Sequence, residues 1–286
     1  MIPAPFAYQR PGSLDEALRI IGSDPDAKVL AGGQGLLPLL KLRLGAAGTL
    51  VDIGRLAELR GVRQLADGRL SIGALTTYSE LLASPARQYG LLRDALPGIG
   101  DVQVRNRGTV GGGIAHADPA SDLPACLLAL DAELVARSAN GERTIPIDGF
   151  FEGPFATGLK PGEILTEIRL PGPRDDAGSA YVSLEQAASR YSMVGVAAIV
   201  FVDAMPRIKS ASIALTGVGD HAYRARAVEA ALADSDGSAA TIEAAAAHAT
   251  DGVEVGSDIH ADRAYRTAMA AVYTRRAIEA ALARLT

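Results

Sequence analysis

Residues 105–125 read RNRGTVGGGIAHADPASDLPA, with three successive glycines, Gly111, Gly112 and Gly113, between Thr109-Val110 and Ile114-Ala115-His116. Glycine loses more conformational freedom on folding than any other residue, roughly 0.5–1 kcal/mol against alanine inside a regular element. A run of three therefore needs a reason, and close approach of a ligand or of another backbone is the simplest. A second glycine-rich turn, Ala31-Gly32-Gly33-Gln34-Gly35, follows the short apolar run Lys28–Leu30 and leads into Leu36. Amides freed of side chains can point inward together around an anion, and a following helix N-terminus adds partial positive charge. Two such loops brought together could grip the two phosphates of a dinucleotide. Each loop alone is read equally well as a tight turn that needs positive φ.

The chain around these loops is mixed in character. SLDE at 13–16 has the capping-box pattern and predicts a helix from Ser13. With Lys28–Leu30 and TLVDIG (49–54) as strands, the opening reads strand, helix, strand around a small sheet. GVRQLADGRLSIGA (61–74) alternates about Asp67-Gly68, and LLALDAELVARSANGERTIPI (127–147) turns at Asn140-Gly141, which are two hairpin signals. TTYSELL (76–82) offers a second capping box from Thr77 to Glu80, and EILTEIRLP (163–171) is one more strand closed by proline. PGPRDDAGSA (171–180) reads as a linker; beyond it AYVSLEQ, MVGVAAIVFV and IKSASIALTGVG are three strands. Two alanine-rich helices and a terminal helix over about 261–284 complete the chain, and no repeat is present. The expected class is α+β: residues 1–175 in two parts (about 1–56 and 57–175), then residues 176–286 as a smaller unit with a three-stranded antiparallel sheet and helices.

Composition removes several functional classes. The 286 residues are 48% hydrophobic and 21% charged with a net charge of −5, ordinary for a globular protein and poor in the excess cations that phosphodiester binding requires. The basic residues are scattered, and the pair Arg224 and Arg226 reads as a solvated helix face. The longest apolar run, Val194–Val202, has strand length and falls far short of a membrane span. The N-terminus MIPAPFAYQRPGS lacks the pattern of a secretory signal, so a cytoplasmic location is expected. The single cysteine, Cys126, lies in an apolar run and reads as a small core residue; one thiol cannot make a disulfide or a four-thiolate cluster within the chain. The four histidines show no metal-ligand spacing.

No G-x-G-x-x-G with its downstream acid, no phosphate-binding G-x-x-x-x-G-K-[ST] and no G-x-S-x-G occurs. His116, Asp118 and Ser121 crowd into one loop, which suits local hydrogen bonding better than a hydrolytic triad. Residue by residue, the chain thus offers a two-loop anion site.

AGGQGLLPLLKLR (31–43), RNRGTVGGGIAHADPASDLPA, GERTIPIDGFF (141–151), LKPGEILTEIRLP (159–171) and YSMVGVAAIV (191–200) occur in that order. Together they resemble the FAD-binding medium subunits of molybdenum hydroxylases, in particular those of the aerobic copper–molybdenum carbon monoxide dehydrogenase type. The likeness extends over essentially the whole chain. It implies a flavoprotein oxidoreductase whose FAD accepts electrons from two 2Fe–2S clusters on a small subunit. Those electrons come from a substrate oxidised at a molybdenum cofactor on a large subunit, within a dimer of heterotrimers. Quinone, NAD and oxygen are open as acceptors, the first with peripheral membrane association.

By position, the resemblance gives Ala31 to Leu36 and Thr109 to Gly113 to the FAD diphosphate, with the Thr109 hydroxyl as an extra donor. It places Ala115 and His116 beside the cofactor, although His116 is also read as purely structural. Asp118 would accept from a ribose or adenine group, or simply cap the turn at Pro119. Asp122 is a further candidate, or else a helix cap. Leu165 would lie at the adenine end, where strand periodicity alone makes it core. Tyr191 would stand near the isoalloxazine ring. Three departures stand out: Gly35 and Gly113 where hydroxyl or amide side chains are common, and Arg190 in place of an acid. The alternatives are a medium subunit serving a xanthine, nicotinate or aldehyde type of hydroxylase, a stand-alone FAD oxidoreductase, and a non-catalytic nucleotide-binding module.

Overall fold

The computed structural model describes residues 2–204 and 207–285. Among the described residues, three larger sheets follow one another along the chain, with one two-stranded ribbon beside the second. The first is built from β1 (Ala7–Gln9), α1 (Leu14–Ser23), β2 (Ala27–Leu30), α2 (Leu36–Leu42) and β3 (Thr49–Asp52), with strand order β1-β3-β2 and both pairings parallel. Ser13 caps α1 as expected, accepting from the Glu16 amide. Glu16 closes the turn differently from a reciprocal box: its carboxylate accepts from the Gly12 amide at 2.7 Å, one residue earlier. The edge strand β1 has no counterpart in the sequence reading, because all three of its residues are exposed and carry no alternation.

The second region contains β4 (Val62–Gln64), β5 (Leu70–Gly73), α3 (Tyr78–Leu82), α4 (Gly90–Ala95), α5 (Val102–Arg105), α6 (Val110–His116) and α7 (Asp122–Ala129). It continues through β6 (Glu133–Ser138), β7 (Gly141–Pro146), the small ribbon β8 (Phe151–Gly153) and β9 (Ala156–Thr157), and β10 (Ile164–Leu170). Its five-stranded antiparallel sheet has the order β4-β5-β10-β6-β7, with both predicted hairpins in place. The Thr77–Glu80 capping box is complete, each side chain meeting the other's backbone amide.

The third region holds β11 (Ala177–Glu185), β12 (Ser192–Ala204), β13 (Arg207–Thr216), β14 (Tyr223–Arg224), α8 (Arg226–Leu232), α9 (Ala239–Ala246) and α10 (Arg263–Leu282). Two details differ from expectation. Residues 177–180 belong to β11, so the connecting segment ends at Asp176; Gly178 is there because a side chain would strike the carbonyl of Ala281 in the packed terminal helix. The three long strands also gain the two-residue edge strand β14, giving the order β11-β12-β13-β14.

This third sheet is covered on both faces. One face packs on α8, α9 and α10 through Val194, Val196, Ala198 and Val200. The other presents Ala197, Ile199 and Ala214 to the core of the second region. Burial on both sides explains why β12 reads as a continuous apolar run rather than an alternating one. Helix α7, all eight of whose residues are buried, is the layer in between.

Polar ties cross the same seam. Arg224 is not on a solvated helix face: its side chain is 5% exposed and bonds Glu229 at 2.6 Å, Asp131 at 2.6 Å, Ser212 at 2.8 Å and the Leu128 carbonyl at 3.1 Å. The sequence disguised it because its partners lie on other elements, whereas Arg226 beside it is exposed as read. Asp94 of α4 forms a second tie, accepting from the Tyr181 amide at 3.0 Å and from Arg284 at 2.6 Å. Removing one partner of a buried ion pair leaves an uncompensated charge. Glu229 keeps Arg226 at 3.0 Å when Arg224 is lost, so Arg224→Ala should lower stability by about 1–3 kcal/mol, the range for lost hydrogen bonds to charged groups, and Arg226→Ala by under about 1 kcal/mol; urea midpoints of the two variants test the contrast.

Candidate functional site

The loop Ala31–Gly35 leaves the carboxyl end of parallel strand β2, the edge at which open parallel sheets leave a crevice for ligands. It meets the start of α6 directly. A side chain on Gly32 would fall on the carbonyl of Arg107 and on Gly108 Cα, and one on Gly112 would lie 3.7 Å from Ala31 Cβ. A side chain on Gly35 would overlap the His116 ring. The two bends are thus in backbone contact.

The glycine run itself has reasons different from those expected. The Gly111 amide donates to the Ala74 carbonyl at 2.9 Å, with no room for a methyl group against Ala74. Gly112 faces the Thr109 side chain, and Gly113 faces the Tyr78 hydroxyl. The amides of this loop are largely committed: Val110 donates to Thr76 O at 2.9 Å, Gly112 to Thr109 Oγ1 at 3.2 Å and Gly113 to Thr109 O at 3.0 Å. Close packing between segments explains these glycines before any ligand is invoked. Thr109 acts as the N-cap acceptor of α6, and its hydroxyl proton has no acceptor among the described residues.

Loop Ala31–Gly35 is the opposite case. Among the described residues, the amides of Gly32, Gly33, Gln34, Gly35 and Leu36 form no hydrogen bond. Five consecutive N–H groups without protein acceptors, at a helix start, fit a dianionic diphosphate. Gly33 sits at φ +76°, a left-handed conformation that favours glycine and turns this backbone inward.

The remaining predicted residues are spread over α6, the turn after it, α7, β10 and the β11–β12 connection. His116 packs on Phe155, ring centroids 5.0 Å apart, and fills the space a larger residue at position 35 would need. Burial lowers its pKa from the ordinary value, and Asp118 opposes the shift only partly. Asp118 makes the local turn considered for it, Oδ1 accepting from the Ala120 amide at 2.9 Å. Ala115 lies on α6 and is partly buried. Leu165 is a buried β10 residue opposite Ala136, in the core as its periodicity suggested.

Asp122 is not the cap of α7 but its first residue. Its Oδ1 accepts from Tyr181 at 2.5 Å and from Ser192 at 2.5 Å, which ties α7 to β11 and β12. Burial raises its pKa, and the two hydroxyls counter this. Tyr191, next to Ser192, is 48% exposed in the connection between β11 and β12. Arg190, at φ +62°, pairs with Glu185 at 3.2 Å, so the cation beside Tyr191 is balanced within its own loop. Sequence reasoning passed over Tyr78, Phe155, Tyr181 and Ser192. TTYSELL carried only a capping signal, and the tyrosine inside it reaches the site through tertiary packing alone.

Comparison with known proteins now decides the family. Residues 4–173 match the FAD-binding domain in molybdopterin dehydrogenase, and residues 179–281 match the CO dehydrogenase flavoprotein C-terminal domain. The chain belongs to this flavoprotein family. It is 40% identical over 287 residues to the carbon monoxide dehydrogenase medium chain of Hydrogenophaga pseudoflava, covering 99% of each. It is 37% identical over 288 residues to the 6-hydroxypseudooxynicotine dehydrogenase complex subunit alpha of Paenarthrobacter nicotinovorans, covering 99% of this chain and 97% of that one. The solved Hydrogenophaga pseudoflava carbon monoxide dehydrogenase superposes with a TM-score of 0.95 at 41% identity, covering 99% of each chain. The chain is therefore an FAD-binding oxidoreductase subunit of the molybdenum hydroxylase family. The free amides of the first loop are the feature of this structure that fits that cofactor.

Two outcomes are expected. Gly32→Ala must push the loops apart, because the obstructing atoms are backbone; the purified variant should lose FAD, read as flavin absorbance per chain. For His116 the folded pKa lies below the unfolded one, so acidification protonates the unfolded chain first. Its contribution is complete above about pH 6.5 and is lost as pH falls below that. Melting temperatures at pH 7.5 and 5.5 should fall more for the native chain than for His116→Gln.

Proposed function

We propose that this chain is the FAD-carrying electron-transfer subunit of a heteromeric molybdenum hydroxylase of the carbon monoxide dehydrogenase type. In this reading electrons arrive from iron–sulfur clusters on a small subunit and leave to an external acceptor. The substrate is oxidised on a large molybdenum-binding subunit, and the three subunits assemble as a dimer of heterotrimers. The observation that carries the reading is the joined pair of loops, with five unpaired amides on one and the Thr109 hydroxyl on the other. The sole cysteine agrees with it: Cys126 is buried on α7, so cluster thiolates must come from another chain.

FAD supplies redox chemistry able to accept electrons singly and pass them on in pairs. The residues of this chain have binding and positioning tasks. Gly32 to Leu36 donate to the diphosphate, and Thr109 adds its hydroxyl. His116, kept neutral by burial, brings no charge to the cradle. Asp122, held by Tyr181 and Ser192, anchors the segment that presents Tyr191 at the open side of the site. Tyr191, aromatic and half exposed, is suited to cover a planar ring system and control access to it. The balance of Arg190 by Glu185 leaves that edge without a net fixed charge. Substrate choice belongs to the partner subunit, in keeping with relatives of different substrates that match this chain over the same length.

Purification of the native assembly should yield flavin, iron and molybdenum in fixed ratio with two further subunits. A yellow protein that reproducibly comes alone would instead support a stand-alone flavoprotein. Tyr191→Ala should keep FAD bound and change its reoxidation rate in stopped-flow absorbance; an unchanged rate removes Tyr191 from the acceptor side.

A further inference from the structure

Tyr78 is 6% exposed, yet its hydroxyl forms no hydrogen bond among the described residues. The other largely buried tyrosines pair theirs: Tyr89 with Pro171 O at 2.6 Å, Tyr181 with Asp122 at 2.5 Å, and Tyr223 with Ala249 O at 2.9 Å. Phenylalanine would make the same packing contacts, so the hydroxyl is a polar group that the fold itself does not use. The oxygen is also not sealed in. The enclosed and unpartnered side-chain oxygens among the described residues are those of Ser71, Ser235 and Thr274, so the Tyr78 oxygen opens outward.

Its direction is fixed by backbone. The Thr77–Glu80 capping box sets the start of α3, the Tyr78 amide donates to Gly108 O at 3.1 Å, and the Val110 amide donates back to Thr76 O at 2.9 Å. The ring lies against Gly108, and the hydroxyl stands where a side chain on Gly113 would otherwise begin. Tyr191 and Asp122 are near enough to act on it electrostatically. The hydroxyl therefore stands beside the third glycine of the run, in the position of its missing side chain and within electrostatic reach of Tyr191.

We propose that the Tyr78 hydroxyl hydrogen-bonds the bound FAD where the cofactor passes Gly113. The inference rests on the seating of FAD between the two loops and adds a ligand that the glycine motifs do not contain. Gly113 lacks a side chain so that this oxygen can take its place. Burial raises the phenol pKa further above its ordinary value, so the group stays neutral and keeps its proton to donate.

The test is Tyr78→Phe in the full chain, freed of FAD and titrated with it by flavin fluorescence. The FAD-free variant should melt at or slightly above the temperature of the native chain, since no internal hydrogen bond is lost. Its Kd for FAD should rise about five- to tenfold, the worth of one hydrogen bond, and the rise in melting temperature on FAD addition should shrink accordingly. Gly113→Ala should weaken FAD binding in the native background. In the Tyr78→Phe background it should be better tolerated, because the nearest ring carbon then lies 3.5 Å from the added methyl. A Tyr78→Phe Kd within twofold of native, while Gly32→Ala has lost FAD, overturns the role of Tyr78 and leaves the cradle standing. Native affinity in both variants overturns the cradle together with the proposal.

Discussion

The site depends on one backbone contact, the place where Gly32 lies against the carbonyl of Arg107 and the α-carbon of Gly108. It joins the end of a parallel strand in the first sheet to the segment that opens α6. A peptide carbonyl cannot swing aside as a long side chain can, so the approach tolerates no Cβ. Paired hydrogen bonds between residues 74–78 and 108–111 hold the second loop from its far side. Those bonds commit the amides of the glycine run, and the first loop is left to offer free donors. The two loops therefore divide the work: one is a rigid abutment, the other presents N–H groups.

The second constraint is the seam at α7. This helix is buried along its whole length between the five-stranded and four-stranded sheets, and its first residue, Asp122, accepts from hydroxyls on β11 and β12. A carboxylate in so enclosed a place persists because both donors meet it; removal of either would leave it undersatisfied. Through this bond the position of Tyr191, one residue from Ser192, is coupled to the helix that follows the glycine loop. Arg224 and Asp94 tie the same layers together away from the site. The C-terminal sheet is thus tied through α7 to the segment that carries Tyr191.

Much of the local structure was legible. Ser13 and Thr77 announced helix starts, Asp67-Gly68 and Asn140-Gly141 announced hairpins, and Val194–Val202 announced a strand. Those signals are written within a few residues of the feature they predict. Arg224 was misread because its acceptors lie 5 to 96 residues away on other elements. Tyr78 went unnoticed for the same reason: its neighbours Gly108 and Gly113 come from a distant turn.

From the residues alone the two glycine loops indicated an anion site, and it was the resemblance of the ordered motifs to a known family that implied FAD, with metal clusters on other chains. Why each glycine is bare was decided only in three dimensions. Gly111 yields to Ala74, Gly113 to Tyr78 and Gly35 to His116, each a contact between segments that the chain order keeps apart. Turn and cap preferences act along the backbone and so can be read from it; the space left for a side chain belongs to whatever packs across from it, and only the folded chain specifies that.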